Sequence, residues 1–272
     1  MVKAFDGKKV FVSGGTSGIN LAIAEAFAAA GATLGVLSRS GDKVAEARTR
    51  IASHGVICQG YCADVRDYPA VEASLGAFHA THGAIDVLVN GAAGNFVAPA
   101  LGMSPNGFRS VVEIDLLGSF HVLRAAHAFL AKPGASVVNI SASQAHTPML
   151  MQSHVCAAKA GADMLIRVLA LEWARDGIRL NSIAPGPVAD TEGMARLAST
   201  PDAERATRAR IPLGRYSRKD EIAAIALFLC SDAAAMITGQ VLAVDGGLNV
   251  GRYSPEHAAQ MDHSMAARAR GG

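Results

Sequence analysis

The strongest constraint on the fold is a regular alternation of short apolar runs with stretches of helical periodicity along most of the chain. Near-continuous apolar runs are typical of parallel strands covered on both faces, and strict alternation with helices indicates right-handed βαβ crossovers. We therefore predict an α/β fold with a doubly wound, seven-stranded parallel sheet. The predicted strands cover residues 10–13, 33–38, 56–62, 85–90, 136–141, 178–183 and 241–245. The predicted helices cover residues 18–30, 42–53, 68–82, 105–130, 153–175 and 218–231.

One domain accommodates this pattern. Half of the 272 residues are apolar and 18% are charged, a balance that favours a large buried core over disorder. We assign residues 1–250 to a single domain. Residues 187–210 contain Pro, Gly and Thr but no strand, and such a long excursion after a strand end predicts a lid over a ligand. The tail, 251–272, has little periodicity.

Several partner classes and locations are disfavoured by the bulk properties. A net charge of +2 is too small to indicate nucleic acid or an anionic membrane as a partner. No apolar run approaches the ~20 residues that span a bilayer, the first strand begins too early for a signal peptide, and Arg270-Gly271-Gly272 is not a peroxisomal address. The four cysteines lack zinc-type spacing, so no metal site is expected. The expected location is the cytoplasm.

A glycine-rich turn follows the first strand and opens the first helix. It reads Ser13-Gly14-Gly15-Thr16-Ser17-Gly18-Ile19-Asn20. Glycines allow backbone amides to approach a pyrophosphate, and the helix N-terminus favours its negative charge. Between a strand and a helix, this turn predicts a dinucleotide site formed by Gly14, Thr16, Ser17, Gly18 and Ile19.

Later segments extend this pattern in order: Asp64-Val65, Asn90-Gly91-Ala92-Ala93-Gly94, the run from Asn181 to Val188, and Asp245-Gly246-Gly247. Together with the turn, they resemble the motifs of the short-chain dehydrogenase/reductase family over about residues 8–250. The resemblance implies a single Rossmann-like domain. It further implies that Asp64 and Val65 contact adenine, that Asn90, Gly91 and Ala92 border the cofactor, and that Pro185, Gly186 and Val188 lie beside nicotinamide. Asn20 replaces the last glycine of the family's turn.

The choice of cofactor depends on the residues at the end of the second strand. An acidic residue there would bind the ribose 2′-hydroxyl of NAD, but this chain has Ser38-Arg39-Ser40. An arginine and two hydroxyls suit a 2′-phosphate, which indicates NADPH. The alternative is that Arg39 is a solvated surface charge.

The catalytic positions depart from the family pattern. The family places a serine 17 residues before a lysine, a tyrosine four before it, and an asparagine in an earlier helix. Counting from Lys159 gives Ala142 and Val155, and the asparagine position holds Asp115. A one-residue gap would bring Ser141 or Ser143 to the serine position, but no gap restores a tyrosine.

The missing tyrosine restricts the chemistry. Reduction of a carbonyl needs a proton on oxygen as hydride reaches carbon. Reduction of a conjugated carbon–carbon double bond instead collects negative charge on a thioester oxygen, which needs hydrogen bonds or positive charge, and a carbon is protonated later. A site with a lysine and an acid but no tyrosine suits the second reaction.

A closer resemblance agrees with this reasoning. Asn90 to Phe96, Pro99, Ile114-Asp115-x-x-Gly118-x-Phe120, His154 and Thr191-Glu192-Gly193 are similar to the 2,4-dienoyl-CoA reductases, above all their peroxisomal branch. That branch also lacks the tyrosine and is associated with an aspartate and a water molecule. The mitochondrial branch has a tyrosine 15 residues before the lysine, where this chain has Gln144.

The resemblance implies roles for individual residues. Lys159 would hold the nicotinamide ribose and supply positive potential, Asp115 would position the water that protonates carbon, and Asn95 and Phe96 would line the acyl site. His154 is an alternative proton carrier or a packed histidine at a helix start. Asp115 could instead be a structural acid paired with Lys159. Met149-Leu150-Met151, Met194 and Leu197 could form an apolar acyl tunnel or ordinary core.

Three functions remain open. The leading hypothesis is NADPH-dependent reduction of 2,4-dienoyl-CoA thioesters in unsaturated fatty acid breakdown, with an acyl-CoA-type substrate. The second is reduction of another enoyl thioester, such as one on acyl carrier protein, although Gln152 occupies the tyrosine position of those enzymes. The third is an NADP(H)-binding sensor without catalysis. The family resemblance also implies a homotetramer, formed through helices 105–130 and 153–175 and the last strand.

Overall fold

A computed structural model of the protein describes residues 3–198, 200–251, 253–254, 256 and 259–261. Its strands are β1 (Lys9–Ser13), β2 (Thr33–Ser38), β3 (Cys58–Cys62), β4 (Val87–Asn90), β5 (Ser136–Ile140), β6 (Arg179–Pro185) and β7 (Val241–Val244). Within the described residues they form one seven-stranded sheet in the order β3-β2-β1-β4-β5-β6-β7. Every neighbouring pair is parallel, which confirms the predicted α/β, doubly wound sheet.

Helices cover both faces of the sheet. They are α1 (Gly18–Ala29), α2 (Gly41–Ala52), α3 (Tyr68–His82), α4 (Pro105–Val112), α5 (Gly118–Ala126), α6 (Ser153–Glu172), α7 (Glu192–Leu197), α8 (Pro201–Ala209) and α9 (Lys219–Cys230). One buried apolar cluster joins the sheet to α1, α2 and α9, and a second joins the other face to α3, α5 and α6. Apolar side chains on both faces explain why the central strands are apolar throughout.

The predicted helix 105–130 is wrong as a continuous element. A π-helical turn, Glu113–Leu117, separates α4 from α5, and α5 ends at Ala126. The side chain of Ser119 donates to the carbonyl of Asp115 at 2.7 Å within this widened turn. After α5 the chain leaves the helical conformation because its backbone pairs with Ile85 beside the sheet. The amide of Ile85 donates to the carbonyl of Phe129, and the carbonyl of Ile85 accepts from the amide of Ala131. Apolar periodicity continues through a π turn, so the sequence pattern does not reveal it.

The other predicted elements match within a few residues. Strands β3 and β4 begin two residues later than predicted, and β6 extends two residues further, to Pro185. Helix α6 ends at Glu172, not at 175, because a short 3-10 turn and then Gly177, with a φ of 69°, reverse the chain.

A buried polar row crosses the sheet just below the carboxyl ends of β4, β5 and β6. Asn90 donates to Asn139 at 2.9 Å, and Asn139 donates to the hydroxyl of Ser182 at 3.2 Å. These three side chains satisfy one another, which removes the cost of burying polar groups and fixes the strand ends relative to each other. The loops that leave these ends are therefore anchored on a rigid base.

The segment predicted as a lid contains α7 and α8. Its first residues join the core through a bridge between Val188 and Ser217. Most of the predicted tail, 251–272, lies outside the described residues.

Candidate active site

A polar crevice of about 600 Å³ opens beside the ends of β1 and β4, where the strand order reverses. Most of the predicted cofactor residues line it: Gly14, Thr16, Ser17, Ser38, Arg39, Ser40, Asp64, Val65, Gly91 and Ala92. Gly18 begins α1, and Asn90 is buried beneath the crevice. This is the position at which doubly wound sheets bind ligands.

The glycine-rich turn brings two backbones close together. Gly14 has a φ of 72°, and a Cβ there would lie 2.8 Å from the backbone of Ala92. Only glycine meets both requirements. The turn therefore presents bare backbone and the N-terminus of α1 to the crevice, an arrangement that fits a pyrophosphate.

Asn20 links this turn to the end of β4. Its amide nitrogen donates to the carbonyl of Gly91 at 2.7 Å and to that of Gly14 at 3.3 Å. The side chain fills the space beside Gly91, where a Cβ would lie 2.3 Å from its oxygen. Asn20, which replaces the family's glycine, thus joins the two loops that border the crevice by hydrogen bonds.

A basic corner lies at the end of β2. Arg39 lines the crevice there, and so does Lys43, which the sequence analysis did not include. Ser40 caps α2 by accepting from the backbone of Lys43 at 3.4 Å. Lys43 lies in the first turn of α2, three residues after the N-cap Ser40, a spacing that could have identified it. Two cations beside a helix N-terminus favour an anionic group.

Asp64 borders the same crevice as a permanent anion. The guanidinium of Arg66 donates to its carboxylate at 2.6 Å and 3.0 Å. These hydrogen bonds lower the pKa of Asp64 to about 2. Because Arg66 neutralises it, Asp64 does not oppose the positive potential of Arg39.

Asp115 lies in the π turn and is 1% exposed. One carboxylate oxygen accepts from the backbone of Gly94 at 2.7 Å. The other has no hydrogen-bond partner among the described residues but lies 3.4 Å from the ammonium of Lys159. The π turn thus directs a carboxylate inward, with one oxygen anchored and the other facing a cation.

Lys159 projects from α6 toward the same point. Its ammonium donates to the carbonyl of Ile140 at 3.1 Å, and the residue is 7% exposed. Val155, one helical turn earlier, is buried in a small apolar cluster with Val111 and Ala158. The position of the family tyrosine is therefore occupied by core packing.

His154 is fully buried, and neither ring nitrogen has a hydrogen-bond partner among the described residues. Its ring packs on Phe96 with centroids 4.4 Å apart. Asn95 lines the polar crevice, and its carbonyl accepts from Arg196 of α7 at 3.3 Å. Phe96 thus packs against the start of α6, the helix that carries Lys159, and Asn95 contacts α7.

A second cavity is apolar and has a volume of about 320 Å³. The predicted cofactor residues Ile19, Pro185, Gly186 and Val188 line it, together with Met149, Met194 and Leu197 of the predicted acyl tunnel. Leu150 is 91% exposed, and Met151 is also exposed, so their inclusion in that tunnel was wrong. Met151 has a φ of 63°, and this local reversal turns the chain outward after Met149.

Two polar networks that border the apolar cavity were missed by the sequence analysis. In one, the hydroxyl of Ser141 donates to Asp163 at 2.8 Å, and His146 lies 3.4 Å from the same carboxylate oxygen. In the other, the amide of Gln144 donates to Gln152 at 3.0 Å. Asp163 lies four residues after Lys159 on one helix face, a spacing that could have identified it. The two glutamines are eight residues apart, one in a short 3-10 turn and the other directly before α6, and because they share no element their spacing gave no such signal.

Among the described residues, no helix is long and apolar enough to cross a membrane. No three or more His, Cys, Asp or Glu side chains in the described ranges are grouped to hold a metal ion.

Comparisons with known proteins agree with this geometry. The family model described as enoyl-(acyl carrier protein) reductase matches residues 14–249. The chain is 38% identical to a peroxisomal 2,4-dienoyl-CoA reductase, (3E)-enoyl-CoA-producing, of Arabidopsis thaliana, over 97% of this chain and 93% of that protein. It is 41% identical to the protein of the same name from Rattus norvegicus, over 88% and 83% of the two chains.

Among solved structures, a gluconate 5-dehydrogenase from Burkholderia cenocepacia in complex with NADP and tartrate superposes with a TM-score of 0.86. It is 31% identical and matches 92% of this chain and 99% of its own. The peroxisomal location in the names of the two reductases is at odds with the cytoplasmic location that the sequence analysis predicts.

Proposed function

The chain belongs to the short-chain dehydrogenase/reductase family, and on this premise we propose that it is an NADPH-dependent reductase of 2,4-dienoyl-CoA thioesters. The observation that carries the proposal is the buried pair of Asp115 and Lys159 beside Val155. The site holds a carboxylate and a cation but has an apolar side chain where the family has its hydroxyl.

This arrangement suits reduction of a conjugated double bond. Hydride adds to the far end of the dienoyl system, and the electron pair moves through the conjugated carbons toward the thioester oxygen. The resulting dienolate needs positive potential and hydrogen bonds in a site that excludes bulk solvent. A proton then bonds to carbon, which yields an enoyl thioester.

Lys159 supplies the positive potential. Its ammonium is held by the carbonyl of Ile140 and faces Asp115, so its charge is fixed near the end of β5. The same ammonium can donate to a ribose hydroxyl. A buried cation acts more strongly on a developing anion than a solvated one does.

Asp115 acts in the step that protonates carbon. Its Oδ2 is buried and lacks a hydrogen-bond donor among the residues that the structure describes, which leaves it free to accept from a water molecule. The anchored Oδ1 keeps the carboxylate from rotating. We assign Asp115 the positioning of the water that protonates carbon, and His154 remains the alternative carrier.

The basic corner supports NADPH as the cofactor. Arg39 and Lys43, which line the polar crevice, would bind a 2′-phosphate, and the turn at Gly14 would bind the pyrophosphate. Ile19, Pro185, Gly186 and Val188, which line the apolar cavity, would contact the nicotinamide. When bound, NADPH supplies the hydride.

Substrate contacts come from two sides. Asn95 and Phe96 would line the reacting end of the acyl group, and Met149, Met194 and Leu197 would contact its apolar chain. Residues of α7 line both cavities, with Arg196 on the polar one. This double contact supports a role for residues 187–210 as a lid over both ligands.

The decisive experiment is NADPH consumption with a short 2,4-dienoyl-CoA, beside an NADH control. Turnover with a clear preference for NADPH is the expected result. The same assay with an enoyl thioester on acyl carrier protein tests the activity that the family model describes. Tight NADPH binding without turnover on either substrate would instead select a non-catalytic NADP(H)-binding protein.

We further propose a homotetramer. Large apolar side chains are exposed along the π turn, α5 and α6, and they include Leu117, Phe120, Met164, Val168 and Leu171. Several large exposed apolar side chains on neighbouring elements are typical of a subunit interface. Light scattering after gel filtration should give four chains, and Leu171→Glu should give a smaller species.

A further inference from the structure

Gln144 presents an oriented amide to the apolar cavity. It follows β5 in a short 3-10 turn, Ser143–Ala145, and lines the cavity together with Pro185 and Gly186. Its nitrogen donates to the side-chain oxygen of Gln152 at 3.0 Å, and its oxygen accepts from the hydroxyl of Ser143 at 3.4 Å. The amide is therefore held from both ends.

The second hydrogen of this amide has only a weak acceptor. It is directed at the sulfur of Met149, 3.8 Å from the nitrogen. A thioether accepts hydrogen bonds poorly, whereas an anionic oxygen accepts them strongly. A ligand oxygen near Met149 would therefore replace the sulfur as the partner of Gln144.

Gln152 is suited to hold Gln144 in place. It is 1% exposed and directly precedes α6, the helix that carries Lys159. Its oxygen accepts one hydrogen of the Gln144 amide, so the other hydrogen points in a fixed direction. Donors oriented in advance avoid reorganisation during the reaction.

We propose that Gln144 donates a hydrogen bond to the thioester carbonyl oxygen of the substrate, and that Gln152 and Ser143 orient its amide for this purpose. The inference rests on the proposed function. Gln144 is then a catalytic residue, because it touches the reacting system. Gln152 is a positioning residue that acts through it.

The chemistry of an amide matches the reaction. Negative charge develops on the thioester oxygen as hydride adds to carbon, and Gln144 stabilises that charge while its proton stays on nitrogen. No bond to Gln144 forms or breaks. Since an amide does not protonate the oxygen, the electron pair stays available at carbon, where the water held by Asp115 delivers the proton.

The first test compares Gln144→Leu with Gln240→Leu. The side chain of Gln240 is exposed and bonds only to the carbonyl of Thr238 among the contacts described, so it serves as the matched control. Loss of one oxyanion donor lowers kcat by about 10²-fold to 10³-fold. We expect that fall in Gln144→Leu, with a small change in KM for NADPH, and no fall in Gln240→Leu.

A spectroscopic measurement tests the hydrogen bond without turnover. A dienoyl thioester bound together with NADP⁺ cannot be reduced, and a hydrogen bond to its carbonyl shifts its ultraviolet absorption to longer wavelength. We expect this red shift in the unaltered protein, its loss in Gln144→Leu and its reduction in Gln152→Met. NADPH affinity should stay unchanged in Gln152→Met, which separates orientation of the amide from general damage.

A titratable variant adds a pH signature. In Gln144→Glu a neutral carboxyl can donate to the oxygen, whereas a carboxylate repels it. The rate of this variant relative to the unaltered protein should therefore rise as the pH falls. If Gln144→Leu folds poorly, Gln144→Met replaces it in both the rate and the absorption measurements.

The outcomes separate the two proposals. No turnover of dienoyl-CoA by the unaltered protein contradicts the proposed function. Turnover by the unaltered protein, with kcat and the red shift both retained in Gln144→Leu, overturns only the role of Gln144.

Discussion

The carboxylate of Asp115 lies 3.4 Å from the ammonium of Lys159, and both side chains are enclosed. Each charge has one further anchor, the amide of Gly94 for Asp115 and the carbonyl of Ile140 for Lys159. A buried pair of this kind carries a large desolvation cost, so it is weak evidence for stability. Its two anchors lie next to the cavities, because Gly94 lines the polar crevice and Ile140 directly precedes Ser141 of the apolar cavity, and this placement favours a role in chemistry.

Asp115→Asn should lower kcat for dienoyl-CoA by about 10²-fold or more, the usual effect of removing a proton-handling group. The amide oxygen can still accept from Gly94, so the turn should persist and NADPH affinity should change little. Steady-state kinetics and a fluorescence titration measure the two quantities.

Glu113→Gln provides the matched comparison, because Glu113 belongs to the same π turn but lines a different surface pocket. Its kcat should equal that of the unaltered protein. Equal losses in both variants would mean that the turn, and not the carboxylate of Asp115, supports the rate.

Lys159→Met should lower the free energy of unfolding by about 3 kcal/mol, since it leaves the carboxylate of Asp115 buried without its cation. The double variant Asp115→Asn/Lys159→Met removes that uncompensated charge and should regain part of the loss. Urea denaturation of all four proteins completes the cycle. Strictly additive effects would show that the two charges do not interact.

Arg39→Ala should weaken NADPH binding by about tenfold to a hundredfold, the value of one or two charge-assisted hydrogen bonds. NADH lacks the 2′-phosphate, so its affinity should not fall. Lys43→Ala should act in the same direction. Arg50→Ala is the control, because Arg50 lies on α2 with Lys43 but forms an ion pair with Glu25. An equal loss for NADPH and NADH would contradict a 2′-phosphate site.

Much of the fold follows from local signals in the sequence. Apolar runs identify the strands, and the alternation with helices implies the parallel sheet. The cofactor crevice is also predictable, since a glycine-rich turn and the ends of parallel strands always meet at one edge. Gly14, Arg39 and Asp64 lie together there as expected.

The active site was less accessible to sequence reasoning. The π turn at Asp115 leaves no mark in an apolar pattern, and the outward path of Leu150 depends on one residue with positive φ. The bond between Gln144 and Gln152 joins a loop to a helix start and requires tertiary contact. Lys43 was not predicted because it lies on α2, beyond the end of β2 at which the residues that choose the cofactor are expected.

The ion pair of Arg66 and Asp64 should make stability depend on pH in the acid range. The folded pKa of Asp64, about 2, lies below its ordinary value of 3.8, so the pair contributes stability above about pH 4. That contribution is lost as the pH falls from about 4 toward 2.

In Arg66→Ala the pKa of Asp64 should return toward 3.8, which carbon-13 NMR of the carboxyl group measures directly. The difference in urea midpoint between the two proteins should shrink over the same pH range, and it should be modest because Arg66 is partly exposed and screened by salt. Arg50→Ala should leave the titration of Asp64 unchanged, and a pKa of Asp64 that stays near 2 in Arg66→Ala would contradict the assignment.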